Sequence, residues 1–235
     1  MALPPAAWSA READWAHTHV VVGGGSGRRV SLSGVPVFVQ TVDEQADDSE
    51  VGAWFEQQRA TWGYLPNYAA AFASRPDVAR AWSTLNKTVR DGMDRRRFEI
   101  ATVAAARALR STYCTAAHAK FLRDVCDDEP TMRAMAGDPT GETLNATDRA
   151  VMRFAAQVAI DASSIAQHDV DQLRDQGLTD ADIADVVFAV AARSFFTRVL
   201  DGLGVQADHQ LGASFDPALR EQLTVGRPIA PDPAQ

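Results

Sequence analysis

The sequence predicts an all-α protein, a bundle of about seven or eight helices behind an irregular N-terminal extension. Two observations carry that reading. From about Asp47 onward apolar residues recur at helical spacing almost without interruption, whereas the extended-type runs are confined to the first fifty residues. The stretch Arg96–Leu109 is apolar nearly all round after Glu99, as expected for a buried central helix.

The elements follow in order. Residues 1–48 form the extension, in which Val20-Val-Val, Gly23-Gly-Gly-Ser-Gly27 and Val35-Pro-Val-Phe-Val39 read as short extended pieces around a flexible turn. The glycines do not make a phosphate loop, because Arg28-Arg29 follows where Gly-Lys-Ser/Thr would be needed and no helical pattern opens. His17 and His19 alternate on an extended stretch and read as surface residues. The helical domain spans 49–212. Val51, Trp54, Phe55, Gln58 and Trp62 mark its first helix, Pro66 opens a short one through Phe72, and Pro76 starts another. The central helix comes next, then Ser111–Val125. Asn145-x-x-Asp148 caps a helix to about Ile160, Gly177 stops a short one from His168, and Thr179-x-x-Asp182 caps a last long helix. Residues 213–235, rich in Pro and polar groups, read as a tail.

Composition narrows the function classes. A chain of 235 residues with 46% apolar and 23% charged residues has the balance of an ordinary globular protein. A formal charge of -8 without a basic block leaves no footprint for nucleic acid and disfavours anionic membranes. No apolar run is long enough to span a bilayer. The start, Met1-Ala-Leu-Pro-Pro, has neither the basic nor the apolar region of a signal peptide, so a cytoplasmic location is expected. Cys114 and Cys126, twelve residues apart on one expected helix, cannot bridge each other.

The chemistry concentrates in Glu99-IATVAAARALR-Ser111-TY-Cys114-TAA-His118. Cys114 and His118 are four apart, so they share a helix face, and an imidazole there can activate a thiol. Ser111 can cap the helix, which puts Cys114 in its first turn, where unpaired N–H groups and the dipole favour a thiolate. Glu99 is a carboxylate at the head of an apolar helix and needs a partner. Taken singly, each has a plainer reading. Ser111 can be only a cap, Cys114 a core residue, His118 a satisfied surface polar group, and Glu99 a salt-bridge partner of Arg96 or Arg107.

The spacing Glu-x11-Ser-x2-Cys-x3-His resembles the motif of the alkylhydroperoxidase D / carboxymuconolactone decarboxylase superfamily, in its peroxidase-related branch. The resemblance extends to Trp62-Gly-Tyr-Leu-Pro-Asn67, Arg75-Pro-Asp77, Leu144-Asn-Ala-Thr-Asp148, Gly177-Leu-Thr-Asp180 and Arg198-Val-Leu-Asp-Gly-Leu-Gly204, roughly residues 50 to 210 in all. It implies an AhpD-like helical bundle, a homo-oligomer, and a peroxiredoxin-type, alkylhydroperoxidase-like oxidoreductase. Carried over, Cys114 is the peroxidatic thiol, His118 its base and Glu99 the group that orients His118. Ser111 holds the place of the resolving cysteine and cannot form a disulfide, which leaves a one-cysteine cycle dependent on an external thiol reductant. Tyr113 stands where some relatives have a second histidine. The decarboxylase branch supplies an alternative, acid–base chemistry by Glu99 and His118 as a decarboxylase or isomerase. A non-enzymatic oligomeric binding protein is the third possibility. The substrate is accordingly a hydroperoxide or a small organic acid. No cofactor is expected, and no metal, since Cys-x-x-Cys, His-x-x-x-His and Glu-x-x-His are all missing. Helix arithmetic does not by itself join Glu99 to His118. In a simple hairpin turning at Arg110 they stand about 16 Å and about 10 Å from the turn.

Overall fold

The computed structural model describes residue 38, residues 49–138 and residues 140–232. By contacts the chain divides into two units, Met1–Val30 and Ser31–Gln235. The glycine run, Val20-Val-Val, His17 and His19 lie outside the described residues, as does most of Val35–Val39.

The described residues form eleven α-helices and one 3₁₀ turn, with no strand among them. These are α1 (Ser49–Trp62), α2 (Asn67–Phe72), α3 (Pro76–Asp91), α4 (Arg95–Ala108), α5 (Thr112–Asp124), α6 (Glu129–Gly137), α7 (Ala146–Asp161), α8 (Gln167–Asp175), α9 (Asp180–Leu203), α10 (His209–Ala213) and α11 (Pro217–Leu223). The fold is the all-α bundle that the sequence predicts, with more helices than the seven or eight expected.

Helix α4 is the axis of the bundle and packs against α5, α7 and α9. Asp94 starts it by accepting from the Arg97 N–H at 2.7 Å. Every residue from Phe98 to Ala106 is buried, and Ala101, Ala104, Ala105 and Ala106 let neighbouring helices approach on all sides. The chain then reverses at Arg110, whose φ of 59° lies in the left-handed region, and re-enters as α5. The expected caps are present. Asn145 accepts from the Asp148 N–H, and Thr179 and Asp182 make a reciprocal capping box at the head of α9.

Three short helices, α6, α10 and α11, account for the excess over the expected count. Two of them begin at Asp-x-Pro or Asp-Pro. Asp128 and Asp216 cap α6 and α11, with Pro130 and Pro217 in the first turn, so the prolines start helices instead of breaking them. The expected tail is therefore corrected from Pro217 onward. Leu219 and Leu223, one turn apart, are buried against α5 and α6. Gly226 then lies so close to the α4–α5 reversal that a Cβ there would meet the Arg110 carbonyl oxygen at 1.8 Å, while its N–H donates to Thr112 Oγ1 at 3.0 Å. The C-terminal segment braces the turn from which α5 springs.

Candidate active site

The α4–α5 pair, with α1, α3 and α9 around it, encloses a cavity of about 510 Å³, the size of a small-molecule site. Glu99, Cys114 and His118 line it. Ser111 does not, although it lies one turn before Cys114.

Glu99 has no exposed surface and His118 is 6% exposed. Their side chains meet at 2.5 Å, Nδ1 to Oε2, so the packing of α5 on α4 closes the stagger that loop arithmetic leaves open. The second carboxylate oxygen accepts from Arg95 Nε at 2.7 Å. Arg95, four residues before Glu99, takes the role that the sequence reading offered to Arg96 or Arg107. Arg96 instead clamps Asp128 and Asp148, and Arg107 donates to the backbone carbonyls of Ala136 and Gln222. Burial pushes the Glu99 carboxyl up, but the His118 ring and the Arg95 guanidinium outweigh it and hold it below its ordinary value. For His118, burial is again the largest influence, and the positive charge of Arg193 adds to it. Together they override the attraction of Glu99 and bring the imidazole down to about 4. At neutral pH the ring is uncharged. With Nδ1 donating to the carboxylate, Nε2 is left as a proton acceptor.

Cys114 is 1% exposed and is the third residue of α5, close to the positive end of that helix. Its sulfur receives Arg193 Nη1 from α9 at 3.8 Å. Arg193 is 3% exposed, and its guanidinium lies 5.6 Å from the Trp82 ring centroid and 5.5 Å from that of Phe196. Nη2 reaches the Asn86 Oδ1 at 3.3 Å and Nε has no hydrogen-bond partner. No carboxylate of the described residues stands within ion-pair distance of it.

Ser111 occupies the N-cap of α5, but its hydroxyl makes no capping bond and has no hydrogen-bond partner among the described residues. Burial raises the Asp201 carboxyl, and the Ser111 hydroxyl partly lowers it again. Tyr113, at the place of the relay histidine, lines the cavity and sends its hydroxyl to Asp208, which also accepts from the Asn67 N–H at 2.7 Å and from Tyr64 at 3.4 Å. Asn67 Nδ2 donates in turn to the Gln206 carbonyl, which explains the structural use of the Pro66-Asn67 segment. Tyr68 bridges Gln58 and Trp62 on the cavity wall. Among the described residues no three His, Cys, Asp or Glu side chains are grouped to hold a metal ion, and no helix is long and apolar enough to cross a membrane.

Arg193 and Asp208 were not singled out from the sequence. A signal for Arg193 existed, since it is a lone charge in the apolar run of α9, the same mark that identified Glu99. Asp208 has no such mark.

Residues 76–135, from α3 into α6, match the carboxymuconolactone decarboxylase family, so the match contains Glu99, Ser111, Cys114 and His118. No curated protein matches the sequence. An alkylhydroperoxidase AhpD core from Ralstonia eutropha JMP134, an uncharacterized peroxidase-related protein, superposes with a TM-score of 0.66 at 22% identity, over 74% of this chain and 94% of that one. A peroxidase-related protein from Silicibacter sp. TM1040 gives 0.63 at 21% identity, over 73% and 93%. A variant of the debrominase Bmp8 in complex with 2,3,4-tribromopyrrole gives 0.57 at 16%, over 78% and 94%. At those identities the likeness is one of fold. The family match covers the motif helices, and the shared bundle gives the chain an AhpD-like all-α fold.

Proposed function

We propose that the protein is a one-cysteine, thiol-dependent hydroperoxidase. The observation that carries this reading is the Arg193–Cys114 contact. A guanidinium buried among aromatic rings costs several kcal/mol of desolvation unless an anion faces it. No carboxylate of the described residues does so, and the sulfur at 3.8 Å is the group that can supply the charge as a thiolate. His118, uncharged with Nε2 free, takes the thiol proton, and Glu99 holds the ring in the tautomer that can do so. The thiolate attacks the distal oxygen of a hydroperoxide. The O–O bond breaks, the sulfur becomes a sulfenic acid, and the alkoxide leaves with the proton that His118 took from the thiol. Ser111 takes no part, being off the cavity and unable to form a disulfide. Trp62, Trp82, Phe98 and Phe196 on the wall suit an apolar organic group on the peroxide. A protein of the same fold that takes a bromopyrrole supports a small-molecule substrate.

Intact-mass measurement after one equivalent of an organic hydroperoxide, with a sulfenic-acid trap present, tests this. The expected product carries one trap per chain, on Cys114, and none in Cys114→Ser. A chain that stays unmodified ends the thiol reading.

A second reading, acid–base decarboxylation or isomerisation, is favoured by one observation. Glu99 and His118 are set as an ionised carboxylate and a neutral base on a cavity wall whether or not Cys114 reacts. Turnover of a small organic acid that survives Cys114→Ser and vanishes in His118→Gln selects it. A homo-oligomer forms part of the proposal. Phe188 and Phe195, seven residues apart on α9, are 56% and 42% exposed. Light scattering showing a monomer removes that element.

A further inference from the structure

We infer that the reductant of oxidised Cys114 is a small anionic thiol that enters the cavity, and not the cysteine of a partner protein. The inference rests on the one-cysteine reading above and names the half of the cycle which that reading leaves open.

Access comes first. Cys114 is 1% exposed, and Tyr113, His118 and Arg193 share its wall. Thiol–disulfide chemistry needs a thiolate in contact with the sulfur under attack. A cysteine fixed on a convex protein surface reaches only the length of its own short side chain, so it cannot touch a sulfur inside the bundle. The chain's other thiol, Cys126, is half-buried and is not on the cavity wall, so it cannot resolve the sulfenic acid either. What can enter a space of about 510 Å³ is a molecule of drug-like size.

Charge comes second. The chain as a whole carries -8, yet Lys87, Arg90, Arg95 and Arg193 all line the cavity and Glu99 is the single carboxylate among its described lining residues. Arg95 shares Glu99 with His118, while Asp91, which does not line the cavity, neutralises at most one of Lys87 and Arg90. A cationic, partly enclosed site in an acidic protein concentrates anions. The redox step strengthens this. When the Cys114 thiolate becomes a neutral sulfenic acid, Arg193 loses its counter-charge and faces the cavity unpaired. An incoming anion restores it.

The step balances as follows. The thiolate of the small thiol attacks the Cys114 sulfur, an S–S bond forms, the S–O bond breaks, and hydroxide leaves and is protonated to water. A second molecule of the same thiol attacks the mixed disulfide, releases its symmetrical disulfide and returns Cys114 as the thiolate. Overall, one hydroperoxide and two thiols give one alcohol, one water and one disulfide.

Two measurements on a Cys126→Ser background test the inference. In the first, the peroxide-generated sulfenic acid is mixed with mercaptoacetate, mercaptoethanol, cysteamine or reduced thioredoxin, and its decay is followed with rates corrected for thiolate fraction. The expected order is anion, neutral, cation, with thioredoxin slowest and about tenfold or more between mercaptoacetate and cysteamine. In the second, which needs no peroxide, Cys114 is labelled with sulfonatoethyl or trimethylammonioethyl methanethiosulfonate. The anionic reagent is expected to react faster, with a preference that shrinks in Arg193→Gln, returns in Arg193→Lys, and weakens as salt is raised. Equal rates for the two reagents, faster reaction of the cation, or thioredoxin outpacing the small thiols overturns the inference and leaves the peroxidase reading intact. Failure to form any sulfenic acid defeats the peroxidase reading instead, while the labelling ratio still reports whether the cavity prefers anions.

Discussion

Two carboxylates in this protein are buried almost equally, Glu99 at 0% and Asp208 at 3% exposure, and they behave in opposite ways. Glu99 sits between Arg95 and His118 and is held below its ordinary value. Asp208 receives two tyrosine hydroxyls and one backbone N–H, with no cation in an ion pair to it among the described residues, and burial pushes it up to about 6 despite those bonds. Burial therefore does not set the protonation state of a carboxylate here. The kind of donor that replaces water does, because a neutral donor returns part of the lost solvation and a cation returns more. The result is one end of the site with a fixed negative charge to orient a base, and another, behind Tyr113, where a carboxylate titrates close to the physiological range.

Breaking the ion-paired end has the largest expected effect. Glu99→Gln keeps the shape, removes the charge and frees the His118 ring to take either tautomer. Turnover is expected to fall about 10²–10³-fold, within the range that a positioned general base contributes. Stability is expected to fall by about 3 kcal/mol, since one partner of a buried pair is removed. Steady-state rates and urea titrations read the two effects. A variant with wild-type turnover would take Glu99 out of the reaction.

Asp208→Asn should cost less, about 1–2 kcal/mol, because hydrogen bonds are weakened and no ion pair is broken. A loss as large as that of Glu99→Gln would mean that the two ends are not distinguished by their partners.

The comparison is sharpest in the pH dependence of stability. The folded His118 value, about 4, lies below its ordinary 6.5. Between those values the unfolded chain binds more protons, so the His118 contribution is present above about pH 6.5 and is lost as pH falls towards 4. Asp208 runs the other way. Its folded value of about 6 lies above the ordinary 3.8, so its contribution is complete below about pH 3.8 and is lost as pH rises through 6. The two slopes oppose each other over most of the acid range. His118→Gln should leave stability more strongly falling with rising pH, and Asp208→Asn should leave it more strongly rising, in melts recorded from pH 4 to 7. Matching slopes in the two variants would refute the assignment.

The smallest effect is expected from Arg95→Met. The Arg95 side chain is 35% exposed, so its pair with Glu99 is partly screened and should contribute no more than about 1 kcal/mol. Its charge opposes protonation of His118, so the imidazole should titrate higher in the variant, which an NMR titration of the ring would show.

Much of this site was legible in the residues themselves. Cys114 and His118 are four residues apart, a spacing that places both on one face of α5. Glu99 stands out as a lone charge in an apolar run, and its ion pair with Arg95 is a contact of four residues' spacing, although by sequence alone Arg96 and Arg107 are candidate partners too. The Asn145 and Thr179 caps mark their helices because a cap is a bond across three residues. Pro217 misled because proline both ends helices and starts them, and the reading depends on whether Asp216 finds the Leu219 N–H, as it does at 2.8 Å.

What the sequence by itself determined is the local part of the protein, namely eight of the helices, the Asn145 and Thr179 caps and the placing of Cys114 and His118 on one helix face, because such features close within one or two turns. Only the tertiary structure decided which charges meet. Arg193 reaches Cys114 across 79 residues and Tyr113 reaches Asp208 across 95. No periodicity in a single chain specifies such a pairing, because it depends on how α9 and the segment before α10 pack around α4 and α5. The same packing turned Ser111 away from the cavity and brought Gly226 against Arg110. The motif is local, but the guanidinium that faces Cys114 comes from α9, 79 residues later in the sequence.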